Sequence, residues 1–252
     1  MLLLLLACTA GPAEPNDTPD ATNDTSVIDE GCPEPLPLAT EPLDTCPELE
    51  EGLLEIDGTQ GSYLLSVPVE PTQILPVIVF LPGGPADIGS ATNNYFQWLA
   101  KMPEVENTWV IVPHTSGAGS DRAQVALDSL AAFQGCFDHD STQVHLVGHS
   151  SGGRIAYPLA VDTPAPFRSL TGLPGTFGEE TDEALLASLE CVPVHHVAGS
   201  EDAGWVDAAR DAQTRMEGLG LESTLNVVEG MGHGPDESWD GSLLRDFFDR
   251  LD

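Results

Sequence analysis

The run Val144-His145-Leu146-Val147-Gly148-His149-Ser150-Ser151-Gly152-Gly153 places a serine where a β-rich segment must turn sharply into a helix. A turn that tight strains the backbone at Ser150, and side chains at Gly148 or Gly152 would collide with the neighbouring strand and helix. The Ser150 hydroxyl is then presented beyond the end of a sheet, as a candidate nucleophile. The N–H of Ser151, at the head of the following helix, is a candidate donor to an oxyanion forming on a substrate. A hydroxyl attacks poorly without a base, and the base needs an orienting acid. Two later loops carry both. Gly199-Ser200-Glu201-Asp202 follows the strand-like run Val194-His195-His196-Val197-Ala198, and Met231-Gly232-His233-Gly234 follows the run ending at Val228. Asp202 is the candidate acid and His233 the candidate base, with Glu201 and Asp207 as alternatives for the acid. His145, His195 and His196 fall inside strand-like runs and read as structural. His149 packs beside the serine, and His114 is the one other histidine expected to line a pocket.

These residues need a sheet and helices to position them. Strands are expected at Leu53 to Asp57, Tyr63 to Pro68, Val77 to Leu81, Trp109 to Val112, Val144 to Val147, Ser169 to Leu173, Val194 to Ala198 and Thr224 to Val228. Helices are expected at Asn93 to Lys101, Arg122 to Phe133, Gly153 to Val161, Glu183 to Glu190, Val206 to Leu219 and Leu243 to Leu251. Ala123, Ala126, Leu127, Leu130 and Ala131 recur at helical spacing and form an apolar stripe. Val77-Ile78-Val79-Phe80-Leu81 is apolar throughout, as a central strand covered on both faces must be. The first two strands follow each other without a helix and start the sheet antiparallel. The strand and helix alternation beyond them makes the rest mainly parallel, giving a single α/β domain from Gly52 to Asp252.

With nucleophile, acid and histidine in that order, residues Leu53 to Asp252 resemble the α/β-hydrolase superfamily. Within it they look like the compact secreted esterases grouped with polyhydroxybutyrate depolymerase-like, feruloyl and acetylxylan esterases. The resemblance implies a mainly parallel sheet with helices on both faces and a triad of Ser150, Asp202 and His233. It also implies a second oxyanion donor in Phe80-Leu81-Pro82-Gly83-Gly84-Pro85, which resembles the family's H-G-G turn with Pro82 in place of the histidine. Gly84 is the candidate donor there, since Pro85 has no N–H to give. The implied reaction is cleavage of carboxylic esters through an acyl-enzyme, with no metal or organic cofactor. The same triad serves acyltransferases and peptidases, and a surface-binding lipoprotein that kept the fold without catalysis is a reading from another class. Trp98, Trp205 and Trp239 are candidates for pocket walls or for core.

The 252 residues carry 41 acids against eight bases, a net charge of −33. That excludes the basic face that nucleic acid, heparin-like polymers or an anionic bilayer would require, and it favours neutral over strongly anionic ester substrates. The charge is unevenly placed. Twelve of the acids and none of the bases lie between Cys8 and Glu51, leaving −21 from Gly52 onward. Residues 9–51, rich in Pro, Thr and acids, read as a disordered stalk. Residues 1–8 read as an export signal, and Leu5-Leu6-Ala7-Cys8 resembles a lipobox whose Cys8 would carry a lipid and anchor a cell-surface or periplasmic protein to the membrane; the alternative is an ordinary secretory signal with an incidental Cys8 and a secreted protein. An exported monomer is expected. Its remaining cysteines, Cys32, Cys46, Cys136 and Cys191, are even in number and suit disulfides, with Cys32 to Cys46 and Cys136 to Cys191 favoured among the three possible pairings.

Overall fold

The computed structural model of the protein describes residues 31–38, 46–57, 62–103, 105–115, 121–178 and 181–251. The expected signal segment, Cys8 and residues 9–30 of the expected stalk lie outside the described residues.

Each apolar run expected as a strand forms one, with ends within two residues of those expected. They are β1 (Gly52–Ile56), β2 (Ser62–Val67), β3 (Val77–Leu81), β4 (Trp109–His114), β5 (Val144–Gly148), β6 (Ser169–Gly172), β7 (Val194–Gly199) and β8 (Ser223–Val228). They form one sheet in the order β1-β2-β4-β3-β5-β6-β7-β8. β2 runs antiparallel to β1 and to β4, and every other pairing is parallel. The parallel strands therefore end on one edge, where the loops after β3, β5, β7 and β8 gather.

Helices α1 (Ile88–Asn94), α2 (Arg122–Gln134), α3 (Gly153–Asp162), α4 (Glu183–Leu186), α5 (Ala203–Gly218) and α6 (Ser242–Asp249) cover the two faces. β3 shows why both are needed. Val77, Val79 and Leu81 enter one apolar layer with Leu130 of α2 and Tyr157 of α3, while Ile78 and Phe80 enter the other with Trp98 and Leu244. This is the two-residue alternation of a strand with no polar face. α2 starts where Asp121 accepts from the N–H groups of Ala123 and Gln124 at 3.0 and 3.2 Å, a side-chain cap. Its buried face runs through Val125, Ala126, Leu130 and Phe133, and Ala131 is displaced to the edge of the expected stripe. α1 begins five residues before the expected Asn93, because Asp87 caps Ser90 N–H at 2.8 Å, and the chain continues after it as a π-helical turn, Tyr95–Leu99.

The favoured cysteine pairing is overturned. Cys32 bonds to Cys191 and Cys46 to Cys136, each with Cα atoms 5.4 Å apart. Cys136 and Cys191 lead towards β5 and β7, which β6 separates. Two strand spacings hold those strand entries roughly 10 Å apart, beyond the roughly 7 Å reach of a disulfide. The two cysteines near the expected stalk instead fasten it to the domain. Leu36 N–H donates to Ala165 O at 2.7 Å, Leu38 N–H donates to Gln134 Oε1 at 3.1 Å, and Leu38 and Leu49 pack against the core. Residues 31–38 and 46–51 thus belong with the folded part, which composition alone started at Gly52.

The histidines of β5 and β7 are buried with partners. His145 Nδ1 is 2.8 Å from Ser169 Oγ and its ring stacks on Phe248, with centroids 4.0 Å apart. The adjacent His195 and His196 face opposite layers: His195 Nε2–H donates to Asn226 Oδ1 at 2.7 Å, and His196 Nδ1 lies 2.8 Å from the Tyr157 hydroxyl. Burial pushes His145 and His196 down to about 3 and His195 to about 4. They stay neutral in the folded chain while the unfolded chain takes up protons below about 6.5, so their contribution is complete above that value and is lost as pH falls. The limiting slope is about 1.4 kcal/mol per pH unit for each histidine. Urea midpoints should therefore fall stepwise from pH 7.5 to 5.5, a window in which ordinary carboxylates remain ionised, and a constant midpoint would contradict their neutral burial.

Candidate active site

β5 ends at Gly148, and the next residues are held from two sides. His149 N–H donates to Leu81 O at 3.0 Å and Ser150 N–H donates to Pro174 O at 2.6 Å. Ser150 takes φ 53°, a left-handed conformation that a non-glycine residue adopts only under constraint. The constraint is the close approach of three segments. A Cβ on Gly148 would lie 2.6 Å from Gly153 Cα, and one on Gly152 would lie 2.1 Å from Leu81 O.

That turn aims Ser150 at His233. The Ser150 hydroxyl lies 3.0 Å from His233 Nε2, and His233 Nδ1–H donates to Asp202 Oδ2 at 2.6 Å. Asp202 occupies the N-cap position of α5 but caps nothing with its side chain, which leaves the carboxylate for the imidazole. Its loop and the His233 loop are stitched together: Ser200 N–H donates to Val228 O at 2.9 Å, Glu201 N–H to Met231 O at 3.0 Å, and Gly230 N–H to Ser200 Oγ at 2.9 Å. Of the alternative acids, Glu201 points to solvent and Asp207 lies 3.7 Å from Arg210. The Asp202 side chain is 19% exposed against 49% for His233, so the imidazole can meet water while the carboxylate is shielded.

The loop after β3 lies against the serine, since a Cβ on Gly83 would fall 3.2 Å from Ser150 Cβ. Gly83 N–H is committed to Asn94 Oδ1 at 3.0 Å. Gly84 has φ 69°, and a Cβ there would meet nothing within 4 Å, so this residue borders open space. The Ser151 hydroxyl donates to Gly84 O at 3.0 Å, bringing the two candidate oxyanion residues together. Arg122 braces them, donating to Pro82 O and, at 3.3 Å, to Ser151 Oγ.

Arg122 and Asn94 were not singled out by sequence. A signal existed for Arg122, the first residue of α2, because a cation at a helix N-terminus opposes the helix dipole and calls for another reason to be there. Asn94 sits where α1 passes into its π-helical turn, a distortion that often accompanies function. His149 packs beside the serine as expected: its Nδ1–H donates to Asn94 Oδ1 and its ring centroid is 5.5 Å from that of His233. Burial, then the neighbouring His233, lower it to about 4, so it stays neutral.

His114 does not line the site. It is buried 3.7 Å from Glu55, on the antiparallel side of the sheet, because β4 runs on through His114 where a loop was expected. Trp98 and Trp239 are core residues, ring centroids 5.1 Å apart. Trp205 does border a cleft of about 830 Å³, together with Arg154, Thr176, Phe177 and Asp202. The cleft opens beside the histidine, whose ring centroid is 6.1 Å from that of Trp205.

No protein-family model matches the sequence, and no curated protein does. Solved structures do match. A thermostable esterase aligns with a TM-score of 0.59 and 16% identity over 77% of this chain and 60% of its own length. LpqC, a poly(3-hydroxybutyrate) depolymerase from Bordetella parapertussis, aligns at 0.56 with 20% identity over 81% of this chain and 94% of its own. A ferulic acid esterase aligns at 0.57 with 16% identity over 80% of this chain and all of its own. The chain has the α/β-hydrolase fold. In this fold the serine turn tolerates little change. Gly152→Ala would drive a methyl group into the β3 carbonyl and should destabilise the protein by about 2 kcal/mol or more. A thermal melt of the variant that matches the parent would contradict that packing.

Proposed function

We propose that the protein is an exported serine hydrolase that cleaves carboxylic esters through an acyl-enzyme. The observation that carries this reading is the continuous hydrogen-bonded chain from the strained Ser150 hydroxyl through His233 to Asp202. The esterase and depolymerase names of the structural neighbours support it.

In this mechanism Ser150 Oγ attacks the ester carbonyl carbon while its proton passes to His233 Nε2. Asp202 holds the Nδ1–H tautomer and faces the imidazolium that forms. The carbonyl oxygen becomes an oxyanion, met by the N–H groups of Ser151 and Gly84. His233 then returns the proton to the departing alkoxide, and the alcohol leaves. Water repeats the attack on the acyl-enzyme with His233 again as base, releasing the acid and restoring Ser150. The neutral His149 adds no second positive charge beside the imidazolium. The mechanism calls on no metal or organic cofactor.

The substrates are small or polymer-linked esters without dense negative charge, because a surface this acidic repels polyanions. Two disulfides support an oxidising compartment. Among the described residues no helix is long and apolar enough to cross a membrane. A lipid on Cys8, the last residue of the 1–8 export signal, would anchor the protein as a monomer at the cell surface or in the periplasm; without that lipid the protein would be secreted.

Ser150→Ala should abolish hydrolysis of short-acyl nitrophenyl esters and labelling by a fluorophosphonate, with an unchanged circular dichroism spectrum; residual full activity would refute the reading. Arg122→Ala should lower kcat by roughly tenfold or more with a smaller change in KM, because the braced loop supplies an oxyanion donor. An unchanged kcat would remove Arg122 from that role.

A further inference from the structure

Eight bases face 41 acids in this chain, and most of their contacts are visible. Arg168 donates to Leu251 O, Arg210 meets Asp207 and Arg245 meets Asp246, while Arg122 braces the oxyanion loop. Arg154 differs. It lies in the first turn of α3, four residues after Ser150, and its backbone N–H donates to Ser150 O at 3.3 Å, but among the described residues its guanidinium makes no hydrogen bond or ion pair. Its contact is with the ring of Trp205, whose centroid is 5.5 Å from the guanidinium carbon. Both border the cleft beside His233. Asp202 is the one carboxylate among the described residues lining that cleft, and it is bonded to His233.

An unpaired guanidinium at a helix N-terminus, next to a reactive serine, is poorly placed for stability. Stacking on an aromatic face holds it in place and leaves its planar edge for a ligand. The shape and charge that match such an edge are those of a carboxylate bound by two N–H groups. We infer that the cleft selects esters bearing a single carboxylate near the scissile carbonyl, with Arg154 as its anchor and Trp205 and Phe177 as the apolar walls beside it. This rests on the hydrolase reading and refines its substrate class. The acidic surface does not prevent it, because solvent ions screen distant charges beyond about 8–10 Å at physiological salt, whereas the Arg154 contact is direct. Polyanions, which would extend over the acidic surface, remain disfavoured.

The experiment compares each carboxylate substrate with a twin in which that carboxylate is a carboxamide. Monoethyl adipate against ethyl adipamate places the charge on the acyl side, and 4-acetoxybutanoate against 4-acetoxybutanamide places it on the alcohol side. The expected result is a kcat/KM ratio above one in at least one pair. The ratio should fall about tenfold or more in Arg154→Gln, fall less in Arg154→Lys, and decline with added sodium chloride. A ratio at or below one in both pairs, or one that Arg154→Gln leaves unaltered, would overturn the inference and leave Arg154 as a cover for Trp205. Should Arg154→Gln fail to fold, Arg154→Lys and the salt series on the parent protein decide. Calorimetric binding of the same pairs to Ser150→Ala separates the two readings: an enzyme inert to every ester sinks the hydrolase, while carboxylate preference in binding still decides the role of Arg154.

Discussion

The site depends on one backbone conformation, the left-handed φ of Ser150 between β5 and α3. For a residue with a Cβ, that conformation costs on the order of 1–2 kcal/mol. It persists because its surroundings leave no alternative. β3 and β5 pair in register up to Leu81 and Gly148, His149 and Ser150 are bonded to the chain on either side, and the glycines allow α3 to start in contact with the β3 loop. The same close approach brings Gly83 and Gly84 beside the serine. Ser150 and the candidate oxyanion donors are thus positioned by a single packing event.

The second half of the site is positioned by a second one. β7 and β8 are parallel neighbours, and three hydrogen bonds join their C-terminal ends and the loops that follow. Asp202 and His233, far apart in sequence, thereby share one rigid platform. Five other histidines with depressed affinity for protons are buried near or within the sheet, while His233 reaches solvent. Burial thus separates the histidines that fill the core from His233, which stands between Ser150 and Asp202. Neutral core histidines also spare the interior any unpaired charge.

The charge distribution follows a similar division. Acids crowd the surface, where hydration is cheap, and Asp202 is the one carboxylate drawn into the proposed machinery. The few cations are correspondingly informative. Arg122 holds backbone carbonyls rather than acids, and Arg154 stands over a tryptophan at the cleft, so neither serves the generic surface ion pairing that contributes little to stability.

The sequence by itself determined the eight strands, the helices that follow them, the serine turn, and the aspartate and histidine that reach it. Each is written in local pattern: apolar runs of strand length, helical spacing, glycines at a forced turn, and polar residues just beyond a strand end. The α1 boundary escaped because Asp87 begins a helix whose first turn has no apolar stripe. Only the tertiary structure decided the disulfide partners, which join residues 159 and 90 positions apart, against the expected pairing of Cys32 with Cys46 and of Cys136 with Cys191. It alone placed Arg122 on the β3 loop, moved His114 out of the site, and separated Trp205 at the cleft from Trp98 and Trp239 in the core. Those outcomes depend on which elements become neighbours across the sheet, and the order β1-β2-β4-β3-β5-β6-β7-β8 is a property of packing between segments that no local stretch of residues encodes.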